Sequence, residues 1–179
     1  MKKLHREGIQ IGRFEPGVRD SIADVKGVRV GHVDIDVEEA QIGLSVVEPY
    51  PLSEEKRRLY TGRWSLDGGG STSGLGVAED FGTLSAPIAV VPGPAFGRAY
   101  EALIHRGIRR DRGLSTDAGW PPFVMGMDDG VWNDARRVYE SVGQRDVDRA
   151  LSAASEVVLE GSVGIGRSLR AFGLRGGVG

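Results

Sequence analysis

Glycine constrains what this chain can fold into more than any other residue type does. The 179 residues include 28 glycines, about twice the usual share of ~7%. They follow no regular period and stand among valine, isoleucine, alanine and leucine, which argues against collagen, a flexible linker or a disordered tract. Because glycine lacks a Cβ atom, this placement predicts many tight turns and several close approaches of backbone to backbone or ligand.

The rest of the composition is that of a globular domain. The chain is 40% hydrophobic and 27% charged, with a net charge of −2, and its length suits one domain over residues 1–179. No basic stripe or nucleic-acid motif occurs, so we expect no nucleic-acid partner. No apolar run approaches the ~18 residues of a membrane span, and no apolar stretch follows the basic residues 1–7 as in a secretion signal. The absence of cysteine excludes thiolate chemistry in this chain and fits the cytoplasmic location that we predict.

Strand-like and helical patterns alternate without a strict βαβ repeat, which predicts an α+β layered domain rather than a doubly wound sheet. Residues 9–14 are expected to form a short strand or an extended arm. Helical spacing predicts a helix over 95–108, ended by Gly107, and another over about 147–159 with Asp146 as its N-cap. Shorter helices are predicted at 75–81 and 132–142, and strands at 28–33, 42–47, 86–91, 123–125 and 168–172.

The C-terminal residues are unusually rich in glycine. Four of the last seven residues are glycine, and they follow a strand-like run directly. Such a segment suits a tight turn beside a reaction centre, so we interpret Gly179 as a cut end. By composition alone a loose tail is the favoured alternative, since termini are commonly glycine-rich and mobile.

Four segments taken together resemble the α-subunit of the L-aminopeptidase/D-esterase family, which includes the β-peptidyl aminopeptidases. These proteins are self-processing hydrolases of the N-terminal-nucleophile kind. The resemblance spans nearly the whole chain in the family's order. The segments are Gly8-Ile9 with Asp20–His32, Gly74–Glu79 with Gly82, Leu84 and Pro87-Ile88, Asp129–Asp134, and Glu160–Gly164 leading to Phe172–Gly179.

The resemblance implies a fold, a reaction and partners. The fold is a layered α/β sandwich in which helices cover two β-sheets, completed by a β-chain. The precursor would cut itself after Gly179, and the next residue, Ser or Thr, would become the N-terminal nucleophile of the β-subunit. The αβ units would assemble further into a tetramer of heterodimers. The substrate would be an amide or ester next to the amino group of a small peptide or amino-acid derivative, and no metal or organic cofactor is needed.

Asn133 is the catalytic candidate within this chain. At the matching position the family places an asparagine to donate to the oxyanion, a role in which one donor is worth roughly 3–4 kcal/mol of barrier. The spacing alone equally allows Asn133 to cap a helix near Ala135, or Asp134 to be the cap instead.

Other residues are expected to line the substrate cleft or to have a structural role. We expect the substrate cleft to include Gly69, Gly70, Phe96 and Trp132. The three tryptophans are expected in the core or the cleft wall. None of the three histidines has metal-ligand spacing, and we interpret His32 as a structural histidine whose hydrogen bonds are satisfied.

Departures from the family pattern leave alternatives open. Gly126-Met127 stand where a Glu is usual, Pro92–Gly97 lacks the usual Asn-Thr, and Ser162 replaces a common Asn. One alternative is a non-catalytic module that binds a small anion through the Gly68–Gly74 loop, although that loop lacks the Gly-Lys-Ser/Thr ending of a P-loop. The other is an acyltransferase of the same self-cleaving architecture.

Overall fold

The computed structural model has the layered α+β architecture that the hydrophobic pattern predicts. It describes residues 8–9, 12–38, 40–50, 58–65, 70–84, 87–116, 121–128 and 133–178. Four of the eight strands in this part of the chain have only two residues. The strands are β1 (Arg29–Val37), β2 (Ala40–Glu48), β3 (Leu59–Tyr60), β4 (Thr83–Leu84), β5 (Ile88–Pro92), β6 (Phe123–Met127), β7 (Arg170–Ala171) and β8 (Leu174–Arg175).

Four α-helices and three short 3-10 turns connect the strands within the described residues. The helices are α1 (Leu75–Phe81), α2 (Phe96–Arg110), α3 (Ala135–Ser141) and α4 (Gln144–Ala153), and the 3-10 turns are Ile22–Asp24, Gly93–Ala95 and Gly164–Arg167.

The four longer strands form one sheet in the order β1-β2-β5-β6. β1 and β2 make an antiparallel hairpin, and β2 pairs antiparallel with β5. β5 and β6 run parallel, because α2 carries the chain back between them. The short strands pair separately, β3 with β4 and β7 with β8.

The two faces of the main sheet differ in chemistry, as the alternation of side chains in a strand requires. One face is apolar, and α2, α3 and α4 pack against it to make the main core. The other face of the hairpin carries polar residues at alternate positions of β1, opposite Ser45 of β2. The sheet residues that share the helix-covered core are Val33, Ala40, Ile42, Leu44, Val46, Ala89, Val91 and Val124.

Helix boundaries differ from the sequence-based expectations at three places. α4 ends at Ala153 rather than near 159, and the other two differences are at the end of α2 and the start of α4. α2 continues through Gly107 to Arg110, so Gly107 does not end it. A glycine inside a helix costs about 1 kcal/mol, which the buried face of α2 offsets. α4 begins at Gln144, and Asp146 lies within its first turn, where its carboxylate accepts a hydrogen bond from the backbone N–H of Gly143 at 3.1 Å. Asp146 therefore caps the helix from inside rather than from the N-cap position.

Three other expectations are corrected or only partly met. The strand predicted over 168–172 is reduced to β7, because the backbone before it turns tightly and the N–H of Ser168 points back to the carbonyl of Ile165. Ile9 and residues 12–14 form no strand in the described part of the N-terminal region. Trp64 is 81% exposed and so does not lie in the core, while Trp120 falls outside the described residues.

No helix in the described part of the chain is long and apolar enough to cross a membrane. The prediction that residues 1–179 form a single domain remains a prediction.

Candidate active site

One edge of the main sheet gathers the ends of all four strands. β5 and β6 are parallel, so Pro92 and Met127 lie side by side at their carboxyl ends. β2 runs antiparallel to β5, which brings its first residues and the β1–β2 turn to the same edge. The carboxyl edge of parallel strands is the usual place for a site in a sheet with helices against it.

Asn133 lies at this edge and is tied to the start of β2. Its Nδ2 donates a hydrogen bond to the carbonyl of Gln41 at 3.2 Å, and its Oδ1 accepts one from the N–H of Gln41 at 3.2 Å. The cap of α3 is Asp134, whose carboxylate accepts from the N–H of Arg137 at 3.1 Å. The spacing allowed either Asn133 or Asp134 to cap α3. In the structure Asp134 is the cap, and the amide of Asn133 is directed at β2.

Two of the predicted cleft residues meet at Gly126 of β6. A Cβ atom at Gly126 would lie 3.5 Å from the ring of Phe96, and one at Gly70 would lie 3.2 Å from the carbonyl oxygen of Gly126. Phe96 is partly buried and packs against the main core at the start of α2. Gly69 and Trp132 lie outside the described residues.

The described part of the glycine-rich loop extends the sheet rather than forming an open cradle. The N–H of Ser73 donates to the carbonyl of Val124 at 2.9 Å, and the N–H of Gly126 donates to the carbonyl of Ser71 at 2.8 Å. The hydroxyl of Ser73 donates to Pro122 and accepts from Val124. An anion-binding loop needs several N–H groups directed at its ligand, and that of Ser73 is already engaged.

Three polar side chains on the hairpin hold the Gly164–Arg167 turn. The Oγ of Ser45 lies 2.7 Å from Nδ1 of His32 and accepts a hydrogen bond from the N–H of Ile165 at 3.1 Å. The carboxylate of Asp34 accepts from the N–H of Gly164 at 2.7 Å. We call His32, Asp34 and Ser45 the hairpin clamp.

Gly164 fits under the hairpin clamp only because it has no side chain. Its φ of +52° lies in the left-handed region, where other residues are strained. A Cβ atom there would come within 2.5 Å of the Ser45 hydroxyl and 2.7 Å of Nδ1 of His32. The close approach lets both clamp hydrogen bonds reach the backbone of the turn.

The Gly164–Arg167 turn, held by the hairpin clamp, supports the C-terminal segment. Gly161 and Val178 exchange two backbone hydrogen bonds, of 2.6 and 2.9 Å. Gly166 lies against the same C-terminal segment, since a Cβ atom on it would be 2.6 Å from the nitrogen of Val178 and 2.9 Å from the carbonyl carbon of Gly177. We call Gly161 and Gly166 the glycine seat. The segment is thus fixed up to Val178, and Gly179 itself lies outside the described residues.

An ion pair joins the turn to the same region of the hairpin that holds Asn133. Nη2 of Arg167 lies 2.6 Å from Oδ1 of Asp36. Asp36 is the cross-strand partner of Gln41, the residue to which Asn133 is bonded. Asn133 and Arg167 of the turn are therefore both attached to the hairpin near its β1–β2 turn.

The surroundings of His32 favour its neutral form. Burial lowers the pKa of His32 below its usual value of 6.5, and the backbone of Leu159 and the charge of Asp34 offset part of that effect. Its Nε2 is buried and makes no hydrogen bond of good geometry among the described residues, although the backbone of Leu159 is near enough to affect the pKa. His32 is thus structural, as predicted, but only one of its two ring nitrogens is paired.

Sequence reasoning missed Ser45 and Asp34. Neither belongs to a motif, and Ser45 becomes a neighbour of His32 only through the register of the hairpin. The available signal was the spacing of His32, Asp34 and Asp36, three polar residues at alternate positions of an otherwise apolar strand, which marks a polar sheet face. Within the described residues no group of three or more histidine or acidic side chains is placed to hold a metal ion.

Comparison with known proteins identifies the family and the fold. Residues 20–179 match peptidase family S58. The chain is 28% identical to the β-peptidyl aminopeptidase BapA of Sphingosinicella microcystinivorans, over 92% of this chain and 43% of that protein.

Three solved structures share the fold. The PH0078 protein of Pyrococcus horikoshii OT3 superposes with a TM-score of 0.89 and 29% identity, over 98% of this chain and 52% of that one. A Burkholderia sp. β-aminopeptidase has a TM-score of 0.82 and 34% identity, over 92% and 47%. The L-aminopeptidase D-Ala-esterase/amidase of Ochrobactrum anthropi, described as a variant of the Ntn hydrolase fold, has a TM-score of 0.81 and 28% identity, over 92% and 48%.

The chain spans about half the length of these relatives. The family match covers all of the main sheet, the hairpin clamp and the glycine seat. This chain belongs to peptidase family S58 and has the Ntn hydrolase fold.

Proposed function

We propose that this chain is the α-subunit of a self-cleaved aminopeptidase or amidase whose nucleophile is the Ser or Thr residue after Gly179. The observation that carries the proposal is the glycine seat, which fixes Gly177 and Val178 immediately before the bond to be cut. A backbone held on its acyl side presents one carbonyl group in one orientation, and such positioning is a large part of rate acceleration.

Cutting the bond would create the catalytic group. A serine or threonine hydroxyl is weakly nucleophilic until a base takes its proton. Hydrolysis of the bond after Gly179 adds water across it, leaving a carboxylate on Gly179 and an α-amine on the next residue. That amine has an ordinary pKa near ~8, so it can accept the proton of its own hydroxyl at neutral pH when the next acyl group is attacked.

Asn133 would stabilise the oxyanion that forms in this attack. Its amide group is a hydrogen-bond donor, and the two hydrogen bonds to the backbone of Gln41 fix the plane of the group. A donor fixed beforehand does not need to reorganise when charge develops on the oxygen. The bond of Asn133 to Gln41, the cross-strand partner of Asp36, which pairs with Arg167 of the turn, supports this role.

The substrate would be an amide or ester beside the amino group of a small peptide or amino-acid derivative, as in the relatives named as aminopeptidases. Gly70 and Phe96, which meet at Gly126, would line the cleft together with Gly69 and Trp132. The β-subunit would come from the same precursor, and the αβ units would assemble as a tetramer of heterodimers.

The test is to express the complete gene and analyse the purified protein by intact mass and N-terminal sequencing. We expect two polypeptides, one ending at Gly179 and one beginning with Ser or Thr, and release of an amine from amino-acid p-nitroanilides or β-peptides. Replacing the residue after Gly179 with Ala should leave a single inactive chain. A single uncut chain that still turns over these substrates would contradict the proposal.

A further inference from the structure

We infer that the hairpin clamp, formed by His32, Asp34 and Ser45, positions the peptide bond after Gly179 for self-cleavage. The inference rests on the proposed function, since it concerns the same bond. It assigns to these residues a positioning role, exerted through the Gly164–Arg167 turn, and no contact with the reacting atoms.

The clamp fixes the backbone of the turn at two successive residues. Asp34 accepts from the N–H of Gly164, and Ser45 accepts from the N–H of Ile165. The second of these hydrogen bonds is buried, and Ser45 is only 5% exposed. Hydrogen bonds to buried groups are costly to leave unmade, so the turn has one strongly favoured position on the hairpin.

His32 completes the clamp by orienting the Ser45 hydroxyl. The hydroxyl oxygen already accepts from Ile165, and its proton is available for Nδ1 of the neutral imidazole at 2.7 Å. In that arrangement the hydroxyl keeps a lone pair directed at the turn. Burial of the ring keeps it neutral and therefore able to accept this proton.

The two turn residues that the clamp holds are next to Gly166 in the sequence. Gly166 directly follows the clamped residues, and it contacts Gly177 and Val178 through backbone atoms. The hydrogen bonds between Gly161 and Val178 complete the seat. A displacement of Gly164 or Ile165 is therefore passed to Val178 through one intervening residue, with no flexible side chain between them.

The experiment measures the rate of self-cleavage of the complete precursor, by the loss of precursor in intact mass spectra, at a temperature well below the melting temperature of every variant. Ser45→Ala and Asp34→Ala should each slow cleavage by about tenfold or more, because each removes one backbone anchor of the turn. The Asp34 side chain is exposed, so its replacement tests the inference even if Ser45→Ala folds poorly. His32→Phe should slow cleavage like Ser45→Ala, whereas His32→Asn should restore most of the rate, because its amide oxygen can accept the serine proton.

Val147→Ala is the matched control for a general loss of stability. Val147 is fully buried in the helix-covered core, on the other side of the sheet from the clamp, so this variant should lower the melting temperature but leave the cleavage rate within about twofold. The inference is overturned if the wild-type precursor cleaves and Asp34→Ala and Ser45→Ala cleave as fast as it does. A wild-type precursor that never cleaves would instead refute the proposed function, and the inference with it.

Discussion

Asn133 and Gln41 are joined by two hydrogen bonds of 3.2 Å, one given and one received by the same amide group. Both bonds go to the backbone of Gln41, so they tie the orientation of Asn133 to the course of β2. The side-chain amide of Asn133 thus pairs with Gln41 as the backbone of a residue in a neighbouring strand would.

Replacing Asn133 with Ala should lower kcat by about 10²–10³-fold in the processed enzyme, because an oxyanion donor is removed. The fold should survive, since the two lost hydrogen bonds are exposed and such bonds contribute about 1 kcal/mol each. Turnover of an amino-acid p-nitroanilide and circular dichroism measure the two effects. Gln144→Ala is a suitable control, because it removes another side-chain amide, bonded to Asp148 at 3.1 Å on α4. Equal kcat values for Asn133→Ala and wild type would remove Asn133 from the oxyanion site.

Gly166→Ala should block self-cleavage and destabilise the protein by about 1–3 kcal/mol, because the added methyl group would be forced into the backbone of Gly177 and Val178. The control is Gly97→Ala in α2, where an added Cβ atom meets nothing within 4 Å and should stabilise the helix by up to ~1 kcal/mol. Melting temperatures and intact masses distinguish the two variants. Normal cleavage in Gly166→Ala would show that the seat has no part in processing.

The stability of the protein should fall on acidification because of His32. Burial lowers the pKa of His32 in the folded state, so the unfolded chain binds this proton more readily than the folded protein does. The contribution of His32 to the free energy of unfolding is therefore complete above pH about 6.5 and is lost as the pH falls below that value. Urea unfolding at pH about 5 and about 7.5 should show a larger difference for wild type than for His32→Asn. The same pH dependence in both proteins would assign the effect to other groups.

Phe172→Asn should stabilise the β7–β8 hairpin. Phe172 has a φ of +51° and Gly173 one of +79°, the pattern of a type I′ turn, for which Asn-Gly is the favoured sequence. A non-glycine residue in the left-handed region costs about 1–2 kcal/mol, and asparagine tolerates it best. The melting temperature should rise by about 2–4 °C or more. Phe172→Ala is the control, since it removes the exposed ring but keeps the strain; an equal rise in both variants would point to the ring instead.

Replacing each of two buried serines near the Gly164–Arg167 turn with alanine should change the free energy of unfolding differently. Ser45 bonds both His32 and Ile165, so Ser45→Ala should cost about 1–3 kcal/mol by leaving a buried N–H unsatisfied. The hydroxyl of Ser168 is buried without a partner in the described structure, so Ser168→Ala should be neutral or stabilising. Urea unfolding of both variants measures the difference, and an equal cost for both would contradict it.

The regular elements could be predicted from the sequence because their patterns are local. The apolar alternation of 42–47 and the helical spacing of 95–108 indicate β2 and α2 directly. The boundaries were less predictable. Gly107 and Asp146 are common terminal residues of helices, but packing carries α2 past the first, and α4 starts two residues before the second.

The site could be predicted only in part, because its geometry depends on contacts between distant residues. Asn133 was found through a family resemblance, whereas its bond to Gln41 joins residues 92 positions apart. The clamp hydrogen bonds from Gly164 and Ile165 reach Asp34 and Ser45 across 130 and 120 positions. No local pattern carries such pairings, which are decided by the register of the sheet.

The attachment of two groups to one hairpin also affects how they move. Asn133 is bonded to Gln41, and the turn that supports Val178 is bonded to Asp34, Asp36 and Ser45 of the same two strands. A flexing of the hairpin would therefore be expected to move both groups together. The distance between them, on which the proposed reaction depends, would then change less than either position does.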